Sequence, residues 1–287
     1  MKMHHAALAL IAAIVFFTWA CAPRGSSSDV PHATPSGAPP RLISLAPSLT
    51  EIAFALGCGP ELVGDTAYDD YPAAARALPH VGDVRTADLE HVAALHPTAI
   101  LALHDEEAEG SPIEHRLHVP VVYLPNRDLR DLDADIAGVG RACGRDAQAA
   151  RLRDDLDRRI AAIGARSLHV RSRVKVLYVL GLPGYAAGPH SFLNDMIEAA
   201  GGTNVAASAD EPYPNLSAEA IVKMDPDVII VSHDTPFDTD VRSREPWRSL
   251  RAVRNGRVLR PPSDDIMERD GPRIVNGLAW LHDALTR

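Results

Sequence analysis

Apolar residues follow two rhythms along this chain. Short uninterrupted runs alternate with runs spaced three and four apart, from residue 41 to the C-terminus. Arg41-Leu-Ile-Ser-Leu-Ala46, Ala99-Ile-Leu-Ala102 and Val228-Ile-Ile-Val231 are short and largely branched, which suits strands of a parallel sheet covered on both faces. Further strands are expected over 62–64, 119–124, 174–180 and 257–259. Helical spacing fills the intervals, with Ile52, Ala53 and Leu56 in one helix and Leu132, Ile136 and Val139 in another. The first of these has Ser48 or Thr50 as its cap and Gly57 with Gly59 as its stop. Short helices are expected over 73–78 and 192–200, and a last one over 274–285. Strand alternating with helix throughout predicts an α/β protein.

One unit of this pattern occurs twice. Asp88-Leu-Glu-His-Val-Ala-Ala-Leu-His-Pro-Thr-Ala-Ile-Leu101 aligns without a gap on Ser217-Ala-Glu-Ala-Ile-Val-Lys-Met-Asp-Pro-Asp-Val-Ile-Ile230, 129 residues further on. Each copy has a helix cap (Asp88, Ser217), an acid two residues later (Glu90, Glu219), apolar residues at helical spacing, then a proline. Pro97 and Pro226 end the helix, because proline restricts the residue before it and donates no backbone hydrogen bond. Two such units imply two similar lobes. Between them, from Asp146 to about Ser167, Leu152, Leu156, Ile160 and Ile163 form one stripe with charges on the other faces. This reads as a long helix joining the lobes. The expected division is a first lobe over 41–144, a connecting helix over 145–168 and a second lobe over 169–287.

The N-terminus departs from this pattern. Lys2 precedes an apolar run over 6–20, broken only by Thr18 and followed by Cys21. That is the build of a signal peptide, too short for a comfortable membrane span. Thr18-Trp-Ala-Cys21 resembles the lipobox of bacterial lipoproteins, which implies residues 1–21 as a leader ending at a lipidated Cys21. Residues 22–40 are rich in proline, serine and glycine without periodicity and read as a solvated tether. The folded part is thus expected outside the cytoplasm, periplasmic or at the cell surface, held to a membrane by lipid alone. Cys58 and Cys143 could pair there, but separately buried thiols are the expectation.

Composition narrows the partners. The chain is 46% hydrophobic and 23% charged, with a formal net charge of −9 and no basic cluster, which argues against nucleic acid. No nucleophile elbow, Walker loop or dinucleotide fingerprint occurs, and Gly181, Gly184 and Gly188 have the wrong spacing for the last. The histidines lack metal-ligand spacing. An extracytoplasmic metal-assisted hydrolase using His104, Asp105 and His233 is the enzyme alternative, and a ligand sensor that signals to a receptor is a third reading.

In parallel α/β sheets the ligand lies beyond the carboxyl ends of the strands. The segments there include Ser48, Val84, Leu103, Asp265 and Arg269, and four of the six tyrosines: Tyr68, Tyr71, Tyr185 and Tyr213. Tyrosine offers a flat apolar face and a hydroxyl at its rim, which suits a broad amphipathic ligand.

Residues 41–57, Tyr68-Asp-Asp-Tyr-Pro72, the two repeated units and Glu268-Arg-Asp-Gly-Pro-Arg-Ile274 together resemble the substrate-binding proteins of ABC importers for cobalamin, haem and iron siderophores. The resemblance implies two α/β lobes on one rigid helix, a ligand cleft between them and no enzymatic activity. It is greatest to the cobalamin binders. It implies that Tyr68 and Tyr71 line a corrinoid site, that Tyr185 and Tyr213 face it from the second lobe, and that Asp265 and Arg269 reach ligand side groups. Val84 and Leu103 stand where cobalamin binders carry tryptophan, which leaves cobinamide, haem or a siderophore open as ligand. No cofactor beyond that ligand is implied. Glu90 and Glu219 correspond to the acids that dock a monomeric carrier on its permease dimer. Each is also favoured in the first turn of a helix by the helix dipole, by roughly 0.3–1 kcal/mol.

Overall fold

The computed structural model describes residues 38–83, 86–104, 112–168 and 172–287. The leader, Cys21, most of the tether, Val84 and Asp105 lie outside them.

The first lobe runs β1 (Leu42–Ser44), α1 (Pro47–Ala55), β2 (Leu62–Gly64), α2 (Leu89–Ala94), β3 (Ala99–Leu103), α3 (Pro112–Leu117), β4 (Val121–Leu124) and α4 (Asp131–Ala142). Its four strands are parallel in the order β2-β1-β3-β4. The long helix α5 (Asp146–Ser167) follows where the apolar stripe requires it. The second lobe runs β5 (Val174–Gly181), β6 (Tyr185–Ala186), α6 (Phe192–Ala199), β7 (Gly202–Asn204), α7 (Ala218–Met224) and β8 (Val228–Val231). It continues through α8 (Thr239–Arg242), α9 (Arg251–Arg254), β9 (Val258–Leu259), α10 (Asp265–Glu268) and α11 (Ile274–Thr286). The start of β5 pairs with β7 and its end with the antiparallel β6, while β8 and then β9 lie on the other side. With β7 in the place of β2, the strand order repeats that of the first lobe.

The duplicated unit is α2-β3 in one lobe and α7-β8 in the other. Asp88 caps its helix by accepting from the amides of Glu90 and His91, and Ser217 by accepting from that of Ala220. At the other end the copies share a backbone feature. His96 and Asp225, each just before the proline, take a left-handed conformation with φ of 48° and 37°. The pre-proline residue is barred from the helical region, so the chain turns there instead of continuing the helix.

Alternate residues of the strands face opposite cores. Leu42 and Leu101, with Val176 and Tyr178, face one continuous cluster that passes from lobe to lobe through Ala149, Leu156 and Ile163 of α5. Ile43 and Ile100 face a smaller core under α2, and Leu177 and Ile229 face its counterpart under α7. Each fully buried side chain of this size contributes roughly 1.5–3 kcal/mol. The main cluster therefore fastens both lobes to α5 as one body.

Three expectations are corrected. Neither Ser48 nor Thr50 caps α1; Pro47 opens the helix, Ala46 is its cap residue, and both hydroxyl residues are buried inside it. The helix expected over 73–78 is only the single turn Ala75–Ala77. Cys58 and Cys143 are not separate thiols: they form a disulfide, with Cα atoms 6.2 Å apart. Helices α1 and α4 pack side by side and bring their C-terminal ends together, which sequence distance conceals.

Candidate functional site

The segments that carry the tyrosines and the acid-arginine cluster follow the carboxyl ends of β2, β5, β7 and β9. In the first lobe the turn after β2 is built on Asp69, whose carboxylate accepts from the Thr66 amide at 2.9 Å and from the Thr66 hydroxyl. The Thr66 hydroxyl in turn accepts from the Tyr68 amide at 3.2 Å. Asp65 anchors the start of the turn on His80 at 2.7 Å. Burial pushes the Asp65 carboxyl up to about 6 even against that hydrogen bond. These internal bonds bury Asp65, Thr66 and Asp69 and leave Tyr68 69% exposed. The turn thus holds an aromatic ring in solvent on a stiff base.

In the second lobe two glycines bring Tyr185 and Tyr213 together. A Cβ at Gly184 would overlap the Leu216 carbonyl oxygen, and one at Gly188 would overlap that of Glu211. The bare backbone of 184–188 can therefore lie against 212–216, where Leu216 donates to Gly184, Ala186 to Pro214 and Gly188 to Pro212 at 2.8–3.0 Å. The two tyrosine rings end 6.3 Å apart, tilted by 39°. Burial, then Tyr185 and Asp270, raise the Tyr213 hydroxyl above its ordinary range, so it is a neutral donor. The glycines with no dinucleotide role are what position this aromatic pair.

Segment 264–273 closes the site from the second lobe and meets the first. Arg269 donates to Asp70 at 2.6 Å, to Glu51 at 3.3 Å and to the Tyr68 carbonyl at 3.3 Å, and pairs with Asp265 at 2.9 Å. Arg273 holds Glu51 through two donors, one at 2.7 Å, and its guanidinium lies 4.0 Å from the centre of the Tyr71 ring. Partial burial works to raise the Asp70 carboxyl, but the hydrogen bond and charge of Arg269 hold it below its usual range. Asp265 and Arg269 are therefore brought together with the first-lobe tyrosines. Behind them Tyr178 donates to Glu268 at 3.0 Å, and burial followed by the charge of Asp264 lifts Glu268 to about 7.

Of the other expected residues, Ser48 is buried, its carbonyl 3.7 Å from where a Cβ on Gly271 would stand. Leu103 ends β3 half-buried and packs on the main core. Glu90 and Glu219 are both exposed in the first turns of α2 and α7. His104 stands edge-on to Tyr123, with ring centres 6.5 Å apart, and His233 bonds Asp264 at 3.1 Å. Among the described residues no three histidine, cysteine or acidic side chains are arranged to hold a metal ion. Glu51, Asp70 and Arg273 were missed as site residues. Asp70 lay within the quoted Tyr-Asp-Asp-Tyr-Pro motif, and Arg273 stands one turn beyond Arg269, which was the available signal.

Two similar α/β lobes on one helix, with exposed tyrosines and ion pairs between them, have the build of a ligand-binding protein. The chain belongs to the periplasmic binding protein family, which matches residues 42–264, and is an ABC-transporter substrate-binding protein of the group for cobalamin, haem and siderophores. It is similar to YvrC, an ABC transporter substrate-binding lipoprotein of Bacillus subtilis (strain 168), at 28% identity, covering 86% of this chain and 80% of the relative. It is also 28% identical to the vitamin B12-binding protein of Yersinia pestis (strain Pestoides F), over 69% of this chain and 71% of that one. Among solved structures, the periplasmic heme-binding protein RhuT from Roseiflexus sp. RS-1 in apo form superposes with a TM-score of 0.76 at 26% identity, covering 87% of this chain and 98% of that one. The periplasmic vitamin B12 binding protein BtuF of Vibrio cholerae shares the fold, with a TM-score of 0.71 at 24% identity over 86% of this chain and 96% of that one.

Proposed function

We propose that the protein captures a corrinoid, cobalamin or cobinamide, outside the cytoplasm and hands it to an ABC permease without performing a reaction. The observation that carries this reading is where exposed aromatic surface occurs. Tyr68, Tyr71, Tyr185 and Tyr213 are four of the six large apolar side chains left open to solvent among the described residues. Scattered exposed apolar residues are ordinary, but one tyrosine pair in the second lobe and another on the arginines that join the lobes mark contact surfaces. Their flat faces and hydroxyl rims match a wide macrocycle with polar substituents. The similarity to a vitamin B12-binding protein supports the same ligand class. Titration with cyanocobalamin, cobinamide, haemin and ferric siderophores is the direct test. Saturable corrinoid binding is expected, and binding confined to haemin or a siderophore would overturn the assignment.

Glu90 and Glu219 would dock the carrier, one acid on each lobe, against basic residues of the permease. The helix dipole accounts for one acid, but the same exposed position in both copies of the unit favours a shared partner. Reversing both charges is expected to abolish uptake and leave ligand affinity unchanged; uptake that persists would remove the docking role. Attachment through a lipid on Cys21 is checked by incorporation of labelled palmitate, which Cys21→Ser should abolish.

A further inference from the structure

Two arginines join the lobes beside Tyr68 and Tyr71, yet neither is available as a simple anion site. Glu51, nearly inaccessible, holds Arg273 through two donors and reaches Arg269 as well. That part of the network is structural, because a ligand cannot reach Glu51 to displace it. Asp70 and Asp265 differ: their side chains keep 45% and 28% of their accessibility, and both lie on Arg269, itself 19% accessible. Three carboxylates thus surround two guanidiniums, and the two accessible ones, Asp70 and Asp265, both lie on Arg269. The Tyr68 carbonyl takes a further donor of Arg269, and Arg76 donates to the Asp70 carbonyl at 3.1 Å, which fixes the approach of that turn.

We propose that Asp70 and Asp265 are specificity-determining residues: by occupying Arg269 from opposite lobes they reject ligands that present free carboxylates and admit macrocycles whose side groups are amides. This rests on the reading of the tyrosine cleft as the ligand site. A ligand carboxylate approaching Arg269 must displace Asp70 from a 2.6 Å charge-assisted bond and then lie beside Asp265. Like charges so placed in a partly desolvated site work against binding. A primary amide meets no such barrier. Its N–H donates to the outward oxygens of the aspartates, and its carbonyl accepts from any donor left on the guanidinium.

Haemin and haemin dimethyl ester test this directly, because they share a macrocycle and differ in the two free carboxylates. Binding of each to the full chain is followed by absorbance and tyrosine quenching. Wild type is expected to bind the ester more tightly than the acid, by roughly tenfold or more for each repelled carboxylate. Asp70→Asn with Asp265→Asn, which keep shape and remove charge, should bring the ratio to one or reverse it. Adding Arg269→Gln should cancel the gain. An equal ratio in wild type and double variant, a gain that survives Arg269→Gln, or a double variant that binds no haemin would each overturn the proposal. Should the double variant unfold, Asp70→Asn alone is read on the same ratio, where a partial shift is expected and none would overturn it. Discrimination between acid and ester with no corrinoid binding would remove the corrinoid assignment and leave this one standing.

Discussion

Tyr68 stands 69% exposed on a turn held by the bonds of Thr66 and Asp69 beneath it, so its ring does little for the fold. Tyr68→Ala should leave stability within about 0.5 kcal/mol of wild type and weaken ligand binding by on the order of tenfold or more. Calorimetric titration beside thermal unfolding separates the two effects. Two buried acids make the opposite case. Asp135 of α4 and Asp270 after α10 are both buried, and one oxygen of Asp135 and both of Asp270 have no hydrogen-bond partner among the described residues. Burial pushes Asp135 up to about 7, and burial with the charges of Asp135, Asp131, Asp128 and Asp195 pushes Asp270 up to about 8. Asn126 links them, donating to the Asp135 carboxylate at 3.4 Å and the Asp270 carbonyl at 3.5 Å. Their folded values lie above the unfolded ones, so the folded state holds protons that the unfolded state has released between about pH 4 and pH 8. Stability therefore falls as pH rises through that window, by about 1.4 kcal/mol per unit for each carboxyl at most. Asp128 and Asp225, held low by Arg130 and by the Arg251 backbone amide, act oppositely and lose their contribution below about pH 4. The unfolding temperature should decline from pH 5 to pH 8, and Asp135→Asn with Asp270→Asn should flatten that decline. At this scale the sequence displayed the tyrosines, because exposed aromatics at strand ends have few other uses. It hid the acids, since burial of a carboxyl depends on which helix covers it.

Secondary-structure elements were legible where a local rule governs them. The cap, proline stop and branched run of the duplicated unit depend on neighbours in sequence, and α2-β3 and α7-β8 follow from them. The connecting helix was equally plain, since twenty-two residues without proline kept one apolar stripe. What escaped was the work of long-range contact. The pairing of 184–188 with 212–216 relies on two glycines that no periodicity singles out. Gly184→Ala or Gly188→Ala should destabilise the protein by about 1–3 kcal/mol and weaken ligand binding, because a methyl group would push the two tyrosine-bearing segments apart. Denaturant unfolding with a binding titration on the same sample checks both effects. The short helices α8 to α10 escaped for a related reason: four-residue turns fix no hydrophobic face.

For the whole molecule, duplication predicted the two matching sheets, and the order of their strands repeats around β5 as it does around β1. The cross-link between Cys58 and Cys143 was not predicted. It closes a loop between residues 85 apart, so the chain-entropy model assigns it about 4–5 kcal/mol through the unfolded state. Reduction, or Cys58→Ser with Cys143→Ser, should lower the denaturation midpoint accordingly and leave the second lobe's tyrosine pair undisturbed. A stable double variant with an unchanged midpoint would contradict that value.

The continuous core through α5 has a consequence for delivery. A carrier fused along its spine has no posture with which to announce its cargo. On the docking proposed above, it would present Glu90 and Glu219 at one span whether full or empty, and the gatekeeper in the membrane would meet the same silhouette. Surplus cargo-free carrier should then contend for the same berth, and transport into reconstituted vesicles should slow as it is added.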